Sequence, residues 1–265
     1  MDITGLNISQ IKEKIAIYSY KDYPKIISIL LNDSRKGVQD LSIRMQKSYN
    51  DQKIELERIR KLKTFQQKLV GQDIQTIAGI DEVGRGPLAG PVVSCAVMLP
   101  VDSNILYIND SKQLTPLKRE ELCDKIKKEA ISLGIGIIPS TVIDEVNIYQ
   151  STKQSMVQAV EQLNIRPDVL VIDAMKLESL SIPQISVIKG DERCYSIAAA
   201  SIVAKVTRDT MMEAYHQEYP QYHFLSNKGY GTREHIEAIK KYGICPIHRL
   251  SFLNKLAEYI EQPGY

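Results

Sequence analysis

Four acidic side chains follow apolar segments of the kind that form buried strands. They are Asp81, Glu82, Asp173 and Asp191. In sheets flanked by helices, functional sites are built where strands end, so these carboxylates are expected to converge. Any one of them alone has an ordinary explanation, because strands end at the surface and helices favour acids near their N-termini. The occurrence of all four in similar positions indicates a site.

Converging carboxylates need a cation. Like charges that lie close together raise one another's pKa unless a positive charge neutralises them. Carboxylate ligands without His or Cys suit hard ions such as Mg²⁺ or Mn²⁺, and such sets are typical of two-metal phosphoryl chemistry. Adjacent residues of a regular strand point to opposite faces. We therefore expect the strand to bend near Gly84, so that Asp81 and Glu82 can share one site.

A glycine-rich loop, residues 84–91, follows the first two acids directly. Its glycines tolerate unusual backbone angles and allow the main chain to approach a ligand closely. Arg85 adds a guanidinium suited to phosphate. The segment lacks the P-loop and dinucleotide-binding patterns, and a tight hairpin turn would use similar residues. Because the acids lie beside it, close contact with a sugar–phosphate backbone is the preferred interpretation.

Two further loops carry groups that could contact nucleic acid. Residues 227–232, the tyrosine loop, place Tyr230 between two glycines, where an exposed ring can stack on a sugar or a base. A loop with a packed tyrosine is the alternative. Residues 109–114 place Lys112 in front of a predicted helix, where its ammonium group could meet phosphate.

The elements that position these groups can be predicted from hydrophobic periodicity. Strands are predicted over residues 77–81, 91–99, 134–138, 168–173 and 184–188. Helices are predicted over residues 117–131, 141–163 (as one or two helices), 195–215, 234–241 and 251–261. Paired strands followed by alternating helices and strands indicate an α/β domain with a mixed sheet flanked by helices.

The first part of the chain differs in charge from the rest. Residues 1–76 hold 14 Lys+Arg against 9 Asp+Glu, whereas the remaining residues hold 20 against 23. Helical spacing over 41–70, ending at Gly71, predicts a long basic helix. We therefore expect a helical basic N-terminal extension at 1–72 and a catalytic domain with C-terminal helices at 73–265. The basic helix either grips a polyanion or is a solvated face without a partner.

Composition places the chain among ordinary globular proteins, with 43% hydrophobic and 25% charged residues. No basic region followed by an apolar one begins the sequence, and no apolar run is long enough to span a membrane. We therefore expect a soluble, cytoplasmic protein. The four cysteines and four histidines lack metal-binding or redox spacing. We expect the cysteines to be buried or inert thiols and the histidines to be surface residues or satisfied residues of the core.

Taken together, these segments resemble bacterial ribonuclease HII, of the type 2 ribonuclease H family. The matching pieces are GIDEVGRGPLAGP at 79–91, DSK at 110–112, ID at 172–173, KGD at 189–191, SIAAASIVAK at 196–205 and KGYGT at 228–232. They occur in the family's order across roughly two-thirds of the chain. The first and fifth pieces are long and specific.

The resemblance implies a ribonuclease H-like fold and a metal-dependent endonuclease that cuts the RNA strand of RNA/DNA hybrids, with Mn²⁺ or Mg²⁺ as cofactor. It also implies cleavage on the 5′ side of single ribonucleotides embedded in duplex DNA, leaving 3′-hydroxyl and 5′-phosphate ends. The biological roles that it implies are ribonucleotide excision repair and removal of RNA primers during DNA replication.

The resemblance also assigns roles to individual residues. The four acids named above become the catalytic and metal-binding residues. The family's element that senses the 2′-hydroxyl at the RNA–DNA junction falls on Gly84, Arg85 and Gly86, and its junction-sensing tyrosine falls on Tyr230. Lys112 is the further candidate for substrate binding.

Two alternatives stay open. The first is the sister enzyme ribonuclease HIII, which requires a run of ribonucleotides and is expected to lack an arginine at the position of Arg85. The second is a nucleic-acid-binding protein that has lost catalysis, although clustered acids gain nothing in binding a polyanion. We expect a monomer that does not associate with membranes.

Overall fold

The computed structural model describes residues 1–71 and 73–254, which divide into two compact units. The first unit ends at Arg60 and the second begins at Lys61, so the boundary falls inside one long helix. The division into an extension and a catalytic domain at residue 72 stays a prediction. In the described part of the chain, no helix is both long enough and apolar enough to cross a membrane.

The first unit consists of helices around a small apolar core. They are α1 (Ile8–Ile15), α2 (Tyr23–Leu31) and the first part of α3 (Lys36–Val70). Ile11, Leu30 and Val38, one from each helix, are fully buried in this core. Helix α3 begins earlier than predicted and ends before Gly71, whose φ of +94° terminates it as expected.

In the second unit, the described residues contain one sheet of five strands. They are β1 (Ile77–Val83), β2 (Val92–Met98), β3 (Ser132–Ile138), β4 (Val169–Asp173) and β5 (Gln184–Val187). Their order is β3-β2-β1-β4-β5, with β2 antiparallel to β1 and β3, and β4 parallel to β1 and β5. The prediction of a mixed sheet is confirmed.

Helices flank the sheet as expected, with α5 and α7 packed on it. The helices of the second unit are α4 (Pro116–Glu129), α5 (Ser140–Glu161), α6 (Gly190–Arg193), α7 (Tyr195–Glu218), α8 (Phe224–Asn227) and α9 (Arg233–Tyr242). Helix α5 is interrupted at Asn147, where φ is 70°. Of the helix predicted at 251–261, the described part contains only a 3₁₀ turn at Leu250–Phe252, and the residues beyond 254 lie outside the described part.

Helices α7 and α5 cover opposite faces of the sheet because side chains alternate along β1. A Cβ at Gly79 would overlap the backbone of Ser196, so α7 packs directly on the main chain of β1. The neighbouring Ile80 points to the other face, into a core shared with Met156 of α5. This packing places α7 beside the carboxyl end of β1.

Two buried histidines form a hydrogen-bonded chain under the tyrosine loop. His235 Nδ1 donates to the carbonyl oxygen of Tyr230 at 2.9 Å, so His235 Nε2 must accept from His248 Nε2 at 3.0 Å. His248 Nδ1 then accepts from the amide of Cys245 at 2.9 Å. Burial, followed by His235, lowers the pKa of His248 to about 4. His235 and His248 are thus satisfied core residues, one of the two expected settings, and all four cysteines are buried free thiols, as expected.

We predict that Gly79→Ala destabilises the fold by about 3 kcal/mol, because the added methyl group forces α7 away from β1. Chemical denaturation measures the change. Gly71→Ala is the comparison, since its Cβ meets open space and costs only backbone strain of about 1 kcal/mol. Equal losses in the two variants would show that α7 does not pack closely on β1.

A second prediction concerns acid stability. His248 has a folded-state pKa of about 4 against 6.5 for an ordinary histidine, so the unfolded chain binds more protons between these values. The unfolding free energy therefore falls as pH drops from 6.5 towards 4, by up to about 1.4 kcal/mol per pH unit. In His248→Gln this contribution is absent, so its stability deficit relative to wild type should shrink over that range. If the stability deficit of His248→Gln did not change with pH, the prediction that His248 is uncharged in the hydrogen-bonded pair with His235 would be contradicted. His216→Gln is the control.

Candidate active site

Three of the four predicted acids come together at the carboxyl edge of the sheet. Among the described residues, Asp81, Glu82 and Asp173 each offer a carboxylate oxygen within 4.8 Å of the others. Pairing between β1 and β4 stops at Ile80 opposite Ile172, so the acids follow the last paired residues of two parallel strands. Parallel strands of this kind bring their carboxyl ends to one place, as the sequence pattern predicts.

The expected bend between the first two acids is not observed. Strand β1 continues past its predicted end, and its pairing with β2 is unbroken through Val83 opposite Val93. The carboxylates meet for another reason: β1 has no paired neighbour on the β4 side beyond Ile80, which leaves room for both side chains at that edge. Asp81 Oδ1 accepts the amide of the following residue, Glu82, at 2.8 Å.

The electrostatics of this cluster disfavour three negative charges. Asp81 is only 5% exposed, and burial raises its pKa well above the ordinary value, with further contributions from Glu82 and Asp173. Burial also raises the pKa of Glu82, although Arg85 opposes the shift. Arg85 Nη1 lies 3.2 Å from Glu82 Oε1 and is the one cation paired with this cluster in the described part of the chain.

The cluster fits a divalent cation. Glu82 Oε2 is buried and has no hydrogen-bond partner among the described residues, and a buried acceptor of this kind is uncommon in a finished site. The donors that meet here are all carboxylate oxygens, which Mg²⁺ and Mn²⁺ prefer. A bound cation would satisfy the unpaired oxygen and remove the repulsion that raises the pKa of Asp81.

Asp191 borders this cluster without joining it. It lies on α6, ahead of α7, and is not among the three acids whose oxygens meet within 4.8 Å. Burial raises its pKa, and Asp110 and Asp173 add to the shift. Its place in the catalytic set stays a prediction. Asp110 is a further acid near this edge that the sequence motif contained but that was not singled out.

The glycine-rich loop joins the antiparallel strands β1 and β2, so the simple hairpin interpretation describes its topology correctly. Its conformation is nevertheless specialised. Gly84 has φ of +95°, and a Cβ there would overlap Arg208 of α7. Arg85 remains exposed enough to reach a ligand while it contacts Glu82. The loop therefore begins beside the carboxylates.

The remaining substrate-binding candidates lie near this loop. A Cβ on Gly86 would be 3.8 Å from Tyr230 Cε1, so the two predicted junction elements face each other. Tyr230 is 43% exposed, which leaves its ring available for stacking. Burial tends to lower the pKa of Lys112, but Asp110, Asp191 and Asp81 outweigh that effect and raise it. These carboxylates keep the Lys112 ammonium group charged at the edge of the site.

Sequence reasoning missed the buried groups that support these loops. Arg208 and Arg249 are fully buried beneath the glycine-rich loop, and the buried Ser201 of α7 lowers the pKa of Asp81 against the larger effect of burial. Arg208 and Ser201 lie within or just after the long apolar segment that predicted α7. An arginine on the inward face of such a helix was the available signal, because unpaired buried charge is rare.

Comparison with known proteins identifies the family. A model described as Ribonuclease HII matches residues 78–255, and one described as Ribonuclease HII N-terminal domain matches residues 7–70. Ribonuclease HII of Listeria innocua is 50% identical over 246 residues, which cover 93% of this chain and 94% of the relative. Ribonuclease HII of Clostridioides difficile is 46% identical over 250 residues, which cover 94% and 98%.

Solved structures agree on the fold. Ribonuclease H2 from Pyrococcus horikoshii OT3 superimposes with a TM-score of 0.60 at 28% identity, covering 69% of this chain and 97% of that one. Aquifex aeolicus ribonuclease H3 gives a TM-score of 0.52 at 17% identity, covering 68% and 73%, and supports the fold alone. The expected ribonuclease H-like architecture is confirmed, and the acidic cluster together with the family matches indicates use of a divalent metal. The chain belongs to the ribonuclease HII family.

Proposed function

We propose that this chain is an endonuclease that hydrolyses the RNA strand of RNA/DNA hybrids and cuts on the 5′ side of single ribonucleotides in duplex DNA. One observation carries the proposal: the Asp81, Glu82 and Asp173 carboxylates meet directly beside the loop that contains Arg85. A hydrolytic centre thus lies next to a group that can recognise a phosphate.

The acids hold the metal in this proposal. Asp81, Glu82 and Asp173 would bind the ions, with Asp191 as the fourth ligand. Two Mg²⁺ or Mn²⁺ ions bound there supply an activated nucleophile and neutralise the charge that develops on the leaving oxygen. Cleavage between the phosphorus and the 3′ oxygen leaves 3′-hydroxyl and 5′-phosphate ends.

Selectivity for ribonucleotides would come from the loops. The 2′-hydroxyl distinguishes ribose from deoxyribose, and a site built to hydrogen-bond it disfavours substrates that lack it. Gly84, Arg85 and Gly86 present main-chain groups and a guanidinium beside the acids, and the Tyr230 ring faces Gly86. Lys112 would contact a phosphate of the same strand. Base sequence is expected to matter little.

The role of the chain in ribonucleotide excision and in removal of RNA primers belongs to the same proposal. So do its cytoplasmic location and its monomeric state.

We predict that Asp81→Asn and Asp173→Asn each lower the cleavage rate at least 1000-fold while leaving duplex affinity largely intact, because they remove metal ligands rather than contacts to phosphate. The assay uses duplex DNA with one embedded ribonucleotide, with Mg²⁺ or Mn²⁺ and then with EDTA. Asp168→Asn is the matched control. Asp168 is exposed at the opposite end of the β4 segment and accepts the amides of Gln75 and Thr76.

Near-normal turnover in either active-site variant would place the metal elsewhere. Wild-type protein that cuts neither a single ribonucleotide nor a hybrid, with either metal, would overturn the proposed function. Cleavage only within runs of ribonucleotides would favour the ribonuclease HIII alternative.

We propose that the basic first unit contributes binding to nucleic acid that depends on salt and does not depend on base sequence. The end of α3 is a poor place to truncate the chain, since Lys63 Nζ donates to the carbonyl oxygen of Ser103 at 2.8 Å and the Gln66 side chain accepts the amide of Ser196 at 2.9 Å. Residues 61–70 therefore support the second unit. Charge removal without deletion is the better test of the first unit.

We predict that replacing the exposed Arg44, Lys47 and Lys53 of α3 with glutamine weakens hybrid binding at low salt. The slope of log affinity against log salt should flatten by roughly one for each lost phosphate contact. Single-turnover cleavage at saturating enzyme should stay unchanged. If the salt dependence of hybrid binding is the same in the variant and in wild type, this surface is a solvated face without a partner.

A further inference from the structure

Two fully buried arginines lie beneath the loops of the site. Arg208 projects from α7 and Arg249 follows the buried His248, and each is 0% exposed. In the described part of the chain neither forms an ion pair with a carboxylate. Backbone carbonyl oxygens accept their hydrogen bonds instead.

Arg249 contacts both ends of the glycine-rich loop. Its Nη2 donates to the carbonyl oxygens of Gly84 at 2.6 Å and Gly90 at 2.8 Å, its Nη1 to that of Arg85 at 3.1 Å, and its Nε to that of Gly90 at 2.9 Å. One guanidinium therefore fixes the first two peptide planes of the loop against its last turn.

Arg208 ties the same loop to the tyrosine loop. Its Nε and Nη2 donate to the carbonyl oxygens of Pro91 at 2.9 Å and Ala89 at 3.1 Å, while Nη1 donates to that of Lys228 at 2.8 Å. The amide of Leu88 completes the contact by donating to Gly229 at 2.8 Å. The spacing between Gly86 and Tyr230 is therefore set by buried hydrogen bonds.

The direction of these carbonyl groups determines where the loop amides point. In a trans peptide the C=O and N–H of one plane point in opposite directions. Since the carbonyls of Gly84 and Arg85 face Arg249, the amides of Arg85 and Gly86 face away from it. Neither amide donates to an acceptor within residues 1–71 and 73–254. Two adjacent free donors are thus directed outward beside the acidic cluster.

Arg249 is itself held on both sides. Its own amide donates to the carbonyl oxygen of Leu88 at 2.9 Å, and the preceding His248 belongs to the chain under Tyr230. After it, Asp144 accepts the amides of Leu250 and Ser251 at 2.8 and 2.9 Å. The guanidinium is therefore part of a rigid support with little freedom to follow a displaced loop.

Burying two guanidinium groups destabilises the fold unless their N–H groups find hydrogen-bond acceptors. Burial lowers the pKa of Arg249 to about 9 and that of Arg208 to about 10, so both remain charged at neutral pH. Two positive charges then lie directly behind a loop that is expected to meet phosphate. An apolar pair could fill the space but could not orient the carbonyl groups.

We propose that Arg249 and Arg208 are positioning residues for ribonucleotide recognition: they orient the Arg85 and Gly86 amides and fix Tyr230 opposite them. The proposal rests on the proposed function. It predicts that loss of these contacts lowers the preference for a ribonucleotide more than it lowers affinity for a duplex as such.

The test compares binding of the full-length chain to two duplexes that differ only in one 2′-hydroxyl, with Ca²⁺ added so that cleavage does not interfere. Arg249→Lys keeps the charge but loses the fork that spans Gly84, Arg85 and Gly90. We expect the affinity ratio between the ribonucleotide duplex and the all-DNA duplex to fall about tenfold, with all-DNA affinity within twofold of wild type. A merely structural defect lowers the active fraction for both duplexes and leaves their ratio unchanged.

Arg119→Lys is the matched control, because this arginine is 13% exposed, pairs with Asp209 at 3.1 Å and donates to the carbonyl oxygen of Leu114, with no hydrogen bond to the glycine-rich loop or the tyrosine loop among the described residues. Hydrogen exchange gives a second reading: the amides of Leu88 and Gly90, which donate to Gly229 and Ile247, should exchange faster in Arg249→Lys while β1 keeps its protection.

The outcomes are distinct. If the wild-type protein neither prefers the ribonucleotide duplex nor cleaves it, the proposed function is wrong. A wild-type preference retained within twofold in Arg249→Lys would overturn the positioning role. If Arg249→Lys does not fold, Arg208→Lys and the milder Asp144→Asn replace it. An unchanged affinity ratio between the two duplexes in a folded variant would also overturn the proposal.

Discussion

Mutual repulsion among three clustered carboxylates, of which Asp81 is buried, is the constraint on which the rest of this site depends. Asp81, Glu82 and Asp173 lie close enough to share an ion, and burial strengthens the repulsion between their charges. Arg85 offsets part of it by pairing with Glu82, yet one buried oxygen of Glu82 stays without a partner among the described residues. A role in cation binding explains this arrangement of carboxylates. The surrounding fold must keep the three carboxylates close together while no cation is bound.

The fold meets this demand by placing rigid elements around the acids. Helix α7 packs on the main chain of β1 at Gly79, and its Ser201 lowers the pKa of Asp81. The parallel pairing of β1 with β4 fixes Asp173 beside Asp81. On the other side, Arg208 and Arg249 hold the glycine-rich loop through its carbonyl groups. The acidic cluster and the glycine-rich loop therefore have separate supports, which meet at β1.

Sequence reasoning predicted the parts of this picture that depend on pattern. Acids at the ends of β1 and β4, the mixed sheet and the helix at Tyr195 follow from hydrophobic periodicity and from residue type. It did not predict that β1 continues through Val83, because strand length is set by pairing with β2 rather than by the local sequence. Nor did it reveal the supports: Arg208 and Arg249 bond to carbonyl groups of the glycine-rich loop that are more than 100 residues away in sequence, and backbone acceptors leave no pattern in side-chain types. The separation of Asp191 from the three other acids likewise depends on how α6 is placed.

We expect Asp81, Glu82 and Asp173 to bind a cation before any nucleic acid arrives. The most direct test is the thermal midpoint of the full-length protein with and without Mn²⁺, in the absence of substrate, for wild type and Asp173→Asn. A ligand that binds only the folded state raises Tm in proportion to the logarithm of its concentration above Kd. The account predicts a Mn²⁺-dependent rise in Tm for wild type that is largely lost in Asp173→Asn. An equal rise in both proteins, or none in wild type, would contradict it.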